Sequence, residues 1–144
     1  MIFIDFLDTN EQSVGGCSAN YFFERYFKDL DLNAELKESL RERIDSGSHF
    51  NLFIDELEEI NKGLKQRIDE IIAHQHFNAF KTDLRQKYPH FGDYPFEYDN
   101  EVYYPYTKGG EFPLDIAFIS LAVYKQQVEN HMMENKEMKH LVTE

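Results

Sequence analysis

Apolar side chains recur along this chain at the spacing of a helix in four stretches, separated by segments where that spacing fails. Phe22, Phe23, Tyr26, Phe27 and Leu30 form one stripe, and Ser18 stands ahead of it as a residue able to accept a backbone N–H bond and cap a helix. Leu36, Leu40 and Ile44 follow at intervals of four. Ser46-Gly47 predicts the stop, because glycine tolerates the left-handed conformation that helix ends often need. Ser48 is the predicted cap of a third helix, whose stripe comprises Phe50, Phe53, Leu57, Ile60, Leu64, Ile68 and Ile71. That stripe stays in phase across Gly63 toward Phe77, Phe80 and Leu84. One long helix, with glycine tolerated at about 1 kcal/mol, is favoured over two helices at a turn, and both readings stay open. Tyr88-Pro89 ends the stretch. Pro113 sits where the last helix begins. Leu114, Ala117, Phe118, Leu121, Val128 and Met132 mark one side of it and Ile116, Ile119 and Val123 the other, which predicts a central position. Beyond His131 the pattern thins, and the end of the chain is predicted to fray.

Residues 89–112 differ. Prolines at 89, 95 and 105 and dense tyrosines exclude a continuous helix, and Phe96-Glu97-Tyr98 and Val102-Tyr103-Tyr104 flank Asp99-Asn100-Glu101 as a short hairpin. At the other end, Met1 to Leu7 reads as a buried strand or a short hydrophobic anchor, and Asp8 to Ser18, with Gly15-Gly16 inside it, reads as a loop. The predicted fold class is mainly α: a bundle of four or five helices with a small β-hairpin and, on one reading of the first residues, an N-terminal strand. Residues 1–144 form a single globular domain on this reading, since neither a repeat nor a linker divides them.

Composition narrows the function classes. A chain of 144 residues that is 42% hydrophobic and 15% aromatic is not disordered. Its 27 acids against 15 bases, a net charge of −12, argue against direct binding of nucleic acid or of anionic membranes. The opening apolar residues lack a basic region before them and include Asp5, so no secretory signal is expected. The run Ile116 to Tyr124 falls far short of the roughly 20 residues that cross a bilayer. A soluble, cytoplasmic protein is expected, which suits the single Cys17.

Motifs for chemistry are weak. Cys17 precedes a predicted helix, whose dipole would favour the thiolate, but no histidine is spaced to identify a base. His74 and His76 are two apart and point about 200° apart on a helix, so they cannot share a metal. His131 and Glu134 can share a face but lack further ligands. The stretch from Asp8 fails as a calcium loop because Ser13 and Ala19 occupy the glycine and glutamate positions. Phosphate-binding glycine spacings are missing. No cofactor, metal or catalytic residue is assigned.

Charge placement says more. Asp55, Glu56, Glu58 and Glu59 crowd one turn of the third helix, where like charges repel and no local need is evident. Glu97, Asp99, Glu101, Glu111 and Asp115 interleave with Tyr94, Tyr98, Tyr103, Tyr104 and Tyr106. Exposed tyrosines offer large contact area at little entropic cost, and carboxylates around them would attract and pair with cations. These fourteen residues form the predicted partner-binding surface, the alternative being a hairpin whose rings seal one end of the bundle.

In size, acidity and tyrosine content the chain resembles the immunity proteins that bacteria make against their own secreted or contact-delivered nuclease toxins. The resemblance covers the whole chain in composition and rests on Tyr94 to Asp115 and Asp55 to Glu59; no motif carries it. It implies a non-enzymatic cytoplasmic inhibitor bound to one basic toxin domain. The alternatives are a phage or plasmid DNA mimic acting on a defence nuclease, and a small enzyme using Cys17 with a histidine base.

Overall fold

The computed structural model describes residues 1–74, 95–105 and 112–144. Its architecture is mixed α/β rather than a helical bundle. Four helices and six strands are present among the described residues: α1 (Ala19–Tyr26), α2 (Ala34–Asp45), α3 (Ile54–Ala73), α4 (Pro113–Glu134), β1 (Phe3–Leu7), β2 (Ser13–Ser18), β3 (Phe50–Leu52), β4 (Phe96–Tyr98), β5 (Glu101–Tyr103) and β6 (Met138–Thr143). The mainly α expectation fails at three places where strand formation depends on distant partners.

The first is the C-terminus. Met138–Thr143 does not fray; it lies inside a four-stranded antiparallel sheet of order β2-β1-β6-β3. Its partners are β1, through Phe3↔Thr143 to Phe6↔His140, and β3, through Phe50↔His140 to Leu52↔Met138. The second is Asp8 to Ser18, whose latter half is β2. The tight passage of β2 over β1 explains its glycines: a Cβ on Gly15 would lie 2.5 Å from Phe6 Cζ, and one on Gly16 would lie 2.1 Å from the Ile4 carbonyl oxygen. Val14 is the extra residue of a bulge, since Phe6 faces Gly15 and Leu7 faces Ser13. The third is Phe50, which belongs to β3. Helix α3 therefore starts not behind Ser48 but behind Phe53, whose N–H donates to Glu56 Oε1 at 2.9 Å.

The other helices follow their stripes. Asn33 caps α2 by accepting from the Glu35 N–H at 2.8 Å, and Gly47, at φ 73°, stands just beyond its end. Helix α3 runs unbroken through Gly63, where a Cβ would lie 2.9 Å from Leu32 Cδ2, and ends at Ala73 with His74 extended. The proposed continuation through Phe77, Phe80 and Leu84 lies outside the described residues.

Helix α4 carries the core side chain that ties the layers together. Tyr124 is fully buried, and its ring meets Phe6 of β1 at 4.9 Å, Tyr26 of α1 at 4.7 Å and Phe22 at 6.3 Å. His140 of β6 stacks on Phe50 of β3 at 4.5 Å and 15°. No helix among the described residues is long and apolar enough to cross a membrane.

Candidate functional site: an acid-tipped hairpin beside a cleft

Strands β4 and β5 form the expected hairpin as a separate two-stranded sheet, paired Phe96↔Tyr103, Glu97↔Val102 and Tyr98↔Glu101. Its turn is Asp99-Asn100, two residues rather than three, with φ of 50° and 64°. Positive φ at both positions is the type I′ combination, and Asn and Asp are the non-glycine residues that accept it most readily.

Alternation along these short strands sends alternate side chains to opposite faces. Phe96, Tyr98 and Tyr103 turn inward and pack edge-on against Phe118 of α4, with ring centroids at 5.4, 5.8 and 5.1 Å. Glu97 and Val102 face outward. Tyr103 is only 7% exposed and Tyr98 half-buried, so for these two the expectation of outward anchors is corrected: their rings fix the hairpin to α4. Burial, then the charges of Glu101, Asp99 and Asp69, raises the Tyr103 pKa.

The carboxylates divide into two groups. Glu97, Asp99 and Glu101 are exposed at the hairpin tip and make no ion pair among the described residues. Asp115, by contrast, is fully buried in the first turn of α4 and is not a surface group. Tyr94, Tyr106 and Glu111 lie outside the described residues.

The Asp55–Glu59 cluster has local work, contrary to expectation. Asp55 and Glu56 occupy the first turn of α3, where the helix dipole favours negative charge. Glu56 accepts two bonds from Arg43, at 2.8 and 2.5 Å, and Arg43 also donates to the Asn51 carbonyl at 3.0 Å. Against the opposing effect of burial, the bonds from Arg43 and from the Phe53 N–H hold the Glu56 carboxyl below its usual range. Glu58 pairs with Lys62 at 3.4 Å, and Glu59 accepts from the Asn33 N–H at 3.2 Å. Of the four, Asp55 alone makes no ion pair or side-chain hydrogen bond among the described residues.

Beside the hairpin lies a cleft of about 630 Å³, walled by Phe96, Tyr98, Ala122 and Val123. Its rim brings together Glu97 and Asp99 with Lys65 of α3 and Lys125, Gln127 and Glu129 of α4. Sequence reasoning missed these α3 and α4 residues. Lys65–Asp69 and Lys125–Glu129 are visible in the sequence as i, i+4 pairs, but nothing local says that both pairs flank one cavity.

Cys17 sits in β2 rather than in a loop; it is 7% exposed, and burial raises its thiol pKa despite Arg25. The geometry therefore disfavours the thiolate. Among the described residues, no three His, Cys, Asp or Glu side chains converge to hold a metal. Comparison with protein-family models, curated proteins and solved structures finds no match.

Proposed function

We propose that this protein is a non-enzymatic binder of a cationic protein and that the β4–β5 hairpin is its point of contact. The observation that carries the reading is the set of three carboxylates, Glu97, Asp99 and Glu101, exposed on a hairpin whose aromatic side is fastened to α4. A tip that is both charged and held in place loses little entropy on binding. Its field speeds encounter with a basic surface.

The cationic partner that best fits a chain of net charge −12 is a nuclease domain, whose substrate channel must neutralise phosphates. Occupying or flanking that channel with carboxylates inhibits it, as in an immunity protein acting on its cognate toxin. The test is a nuclease-like domain encoded by the neighbouring gene, assayed on its nucleic acid substrate with and without equimolar protein. Inhibition by the natural chain and its loss in E97K/D99K/E101K support the reading. Full nuclease activity in the presence of excess natural chain overturns it.

A further inference from the structure

We propose that the four-stranded sheet takes up one more antiparallel strand at Gly16 of β2, an extended segment of another protein that sets a lysine or arginine opposite that glycine. This contact lies on a different sheet from the hairpin and does not depend on the function proposed above.

The register shows which backbone groups this edge leaves unmet. The Ala19 N–H donates to the Ile2 carbonyl at 2.9 Å, so Ile2 and Ala19 face each other as a hydrogen-bonded pair. Such pairs alternate with non-bonded ones along an antiparallel ladder. Ile4–Cys17 and Phe6–Gly15 are therefore bonded pairs, whereas Asp5–Gly16 is not, and both the N–H and the C=O of Gly16 point away from β1. Neither meets a partner among the described residues. The opposite edge is better closed. Asn51 of β3 has its outward carbonyl taken by Arg43 Nη1 at 3.0 Å, and where β6 runs past β3 the Val142 N–H donates to His49 Nδ1 at 2.9 Å. Edge strands are commonly guarded by charged side chains or proline as well, and Ser13–Ser18 contains neither.

Charge selects the occupant. Directly paired residues project to the same face of a sheet, and Gly16 leaves its place on that face bare beside Asp5. The Asp5 carboxylate leans over that place: a Cβ on Gly16 would lie 2.8 Å from Asp5 Oδ1. Asp5 makes no ion pair among the described residues. A residue opposite Gly16 on an added strand projects on this face with no side chain between it and the carboxylate, so a long cation reaches Asp5. A second copy of this chain, paired two-fold about Gly16, would offer only another glycine and a further net charge of −12. A basic strand answers both the unmet backbone groups and the carboxylate.

The experiment is an NMR titration of the full chain with three peptides: Ac-Thr-Val-Lys-Val-Thr-NH2, its counterpart with glutamate for lysine, and the lysine peptide methylated on the lysine backbone nitrogen. The last keeps the charge but cannot donate to the Gly16 carbonyl. Pairing is short, because the bulge at Val14 lies on one side and α1 begins at Ala19 on the other. The lysine peptide is accordingly expected to bind with Kd on the order of 1 mM, shifting the Gly16 and Ser18 amides. The glutamate and N-methyl peptides should each bind at least about fivefold more weakly, and D5N should weaken binding of the lysine peptide about threefold with the spectrum otherwise native. Equal binding of the lysine and N-methyl peptides, or shifts confined to the hairpin, would mean attraction to an acidic surface alone and overturns the added strand. Equal binding of the lysine and glutamate peptides overturns the basic occupant. Gly16 shifts that grow with protein concentration in the absence of peptide assign the edge to a second copy and overturn it too.

Discussion

The hydroxyl of Tyr124 and Nε2 of His140 lie 2.8 Å apart, with both side chains fully buried between α4 and the sheet. His140 Nδ1 lies 3.2 Å from the Met138 carbonyl, which can only accept, so Nδ1 carries the proton and Nε2 accepts from Tyr124. This buried pair holds the imidazole neutral. Burial is the main cause of a pKa lowered to about 3, with His131 and Arg43 adding repulsion against the bond to Met138.

Stability should accordingly fall with acidification before the carboxylates titrate. Above pH 6.5 His140 is neutral in both states. Below that value the unfolded chain takes up a proton that the folded one refuses, and the loss continues until pH approaches about 3. The slope contributed is at most about 1.4 kcal/mol per pH unit. Urea unfolding between pH 6.5 and 5 reads it, and H140Q, which keeps an acceptor for Tyr124 without titrating, should flatten it. An unchanged slope in H140Q would show that the fold does not depend on this neutral imidazole.

Gly16 and Gly47 should respond differently to alanine. Both have positive φ, 155° and 73°, but a Cβ on Gly16 would meet the Ile4 carbonyl oxygen at 2.1 Å whereas Gly47 faces open space. G47A should cost about 1 kcal/mol from backbone strain alone. G16A should cost more than about 2 kcal/mol by adding a backbone clash within the β1–β2 pair. Thermal melts of equal depth would refute the tight crossing.

Some of this architecture can be read from residues alone and some cannot. Leu36, Leu40 and Ile44 announce α2 because a helix satisfies its own hydrogen bonds, so its signal is local. Asp99-Asn100 likewise announces a turn through the φ those residues accept. Ser13 to Ser18 contains four small residues with no strand preference, and it is a strand only because Phe6 and Ile4 offer it a backbone to pair with. His140 finds Phe6 and Phe50, more than eighty residues away, so a stretch that reads as a fraying tail becomes an interior strand. The site divides in the same way. Its carboxylates are legible as a charge cluster. The inward turn of Tyr98 and Tyr103 onto Phe118, the burial of Asp115 and the cleft shared with α3 and α4 depend on tertiary packing and are not.

Glu56 tests the division of the acidic cluster. Its side chain is 14% exposed and joined to Arg43 by two short bonds, so E56A should lower stability by about 2 kcal/mol. E58A, which breaks only an exposed pair with Lys62, should change it by less than about 0.5 kcal/mol. Chemical denaturation of the two variants decides; a silent E56A would return Glu56 to the pool of carboxylates available to a partner.

Cys17 should react slowly. Its buried thiol, with a raised pKa, predicts iodoacetamide labelling at pH 7.5 well below the rate of a free cysteine, rising only when the chain unfolds. Rapid labelling of the folded protein would restore the case for a nucleophile at this position.

The most direct measurement is the salt dependence of association between this chain and the nuclease domain proposed as its partner, followed by stopped flow at low and high ionic strength. The natural chain is predicted to associate about tenfold or more faster at low salt, and E97K/D99K/E101K should lose most of that acceleration while keeping its melting behaviour. Equal rates and equal salt dependence for the two proteins would contradict the assignment of the hairpin carboxylates as the contact.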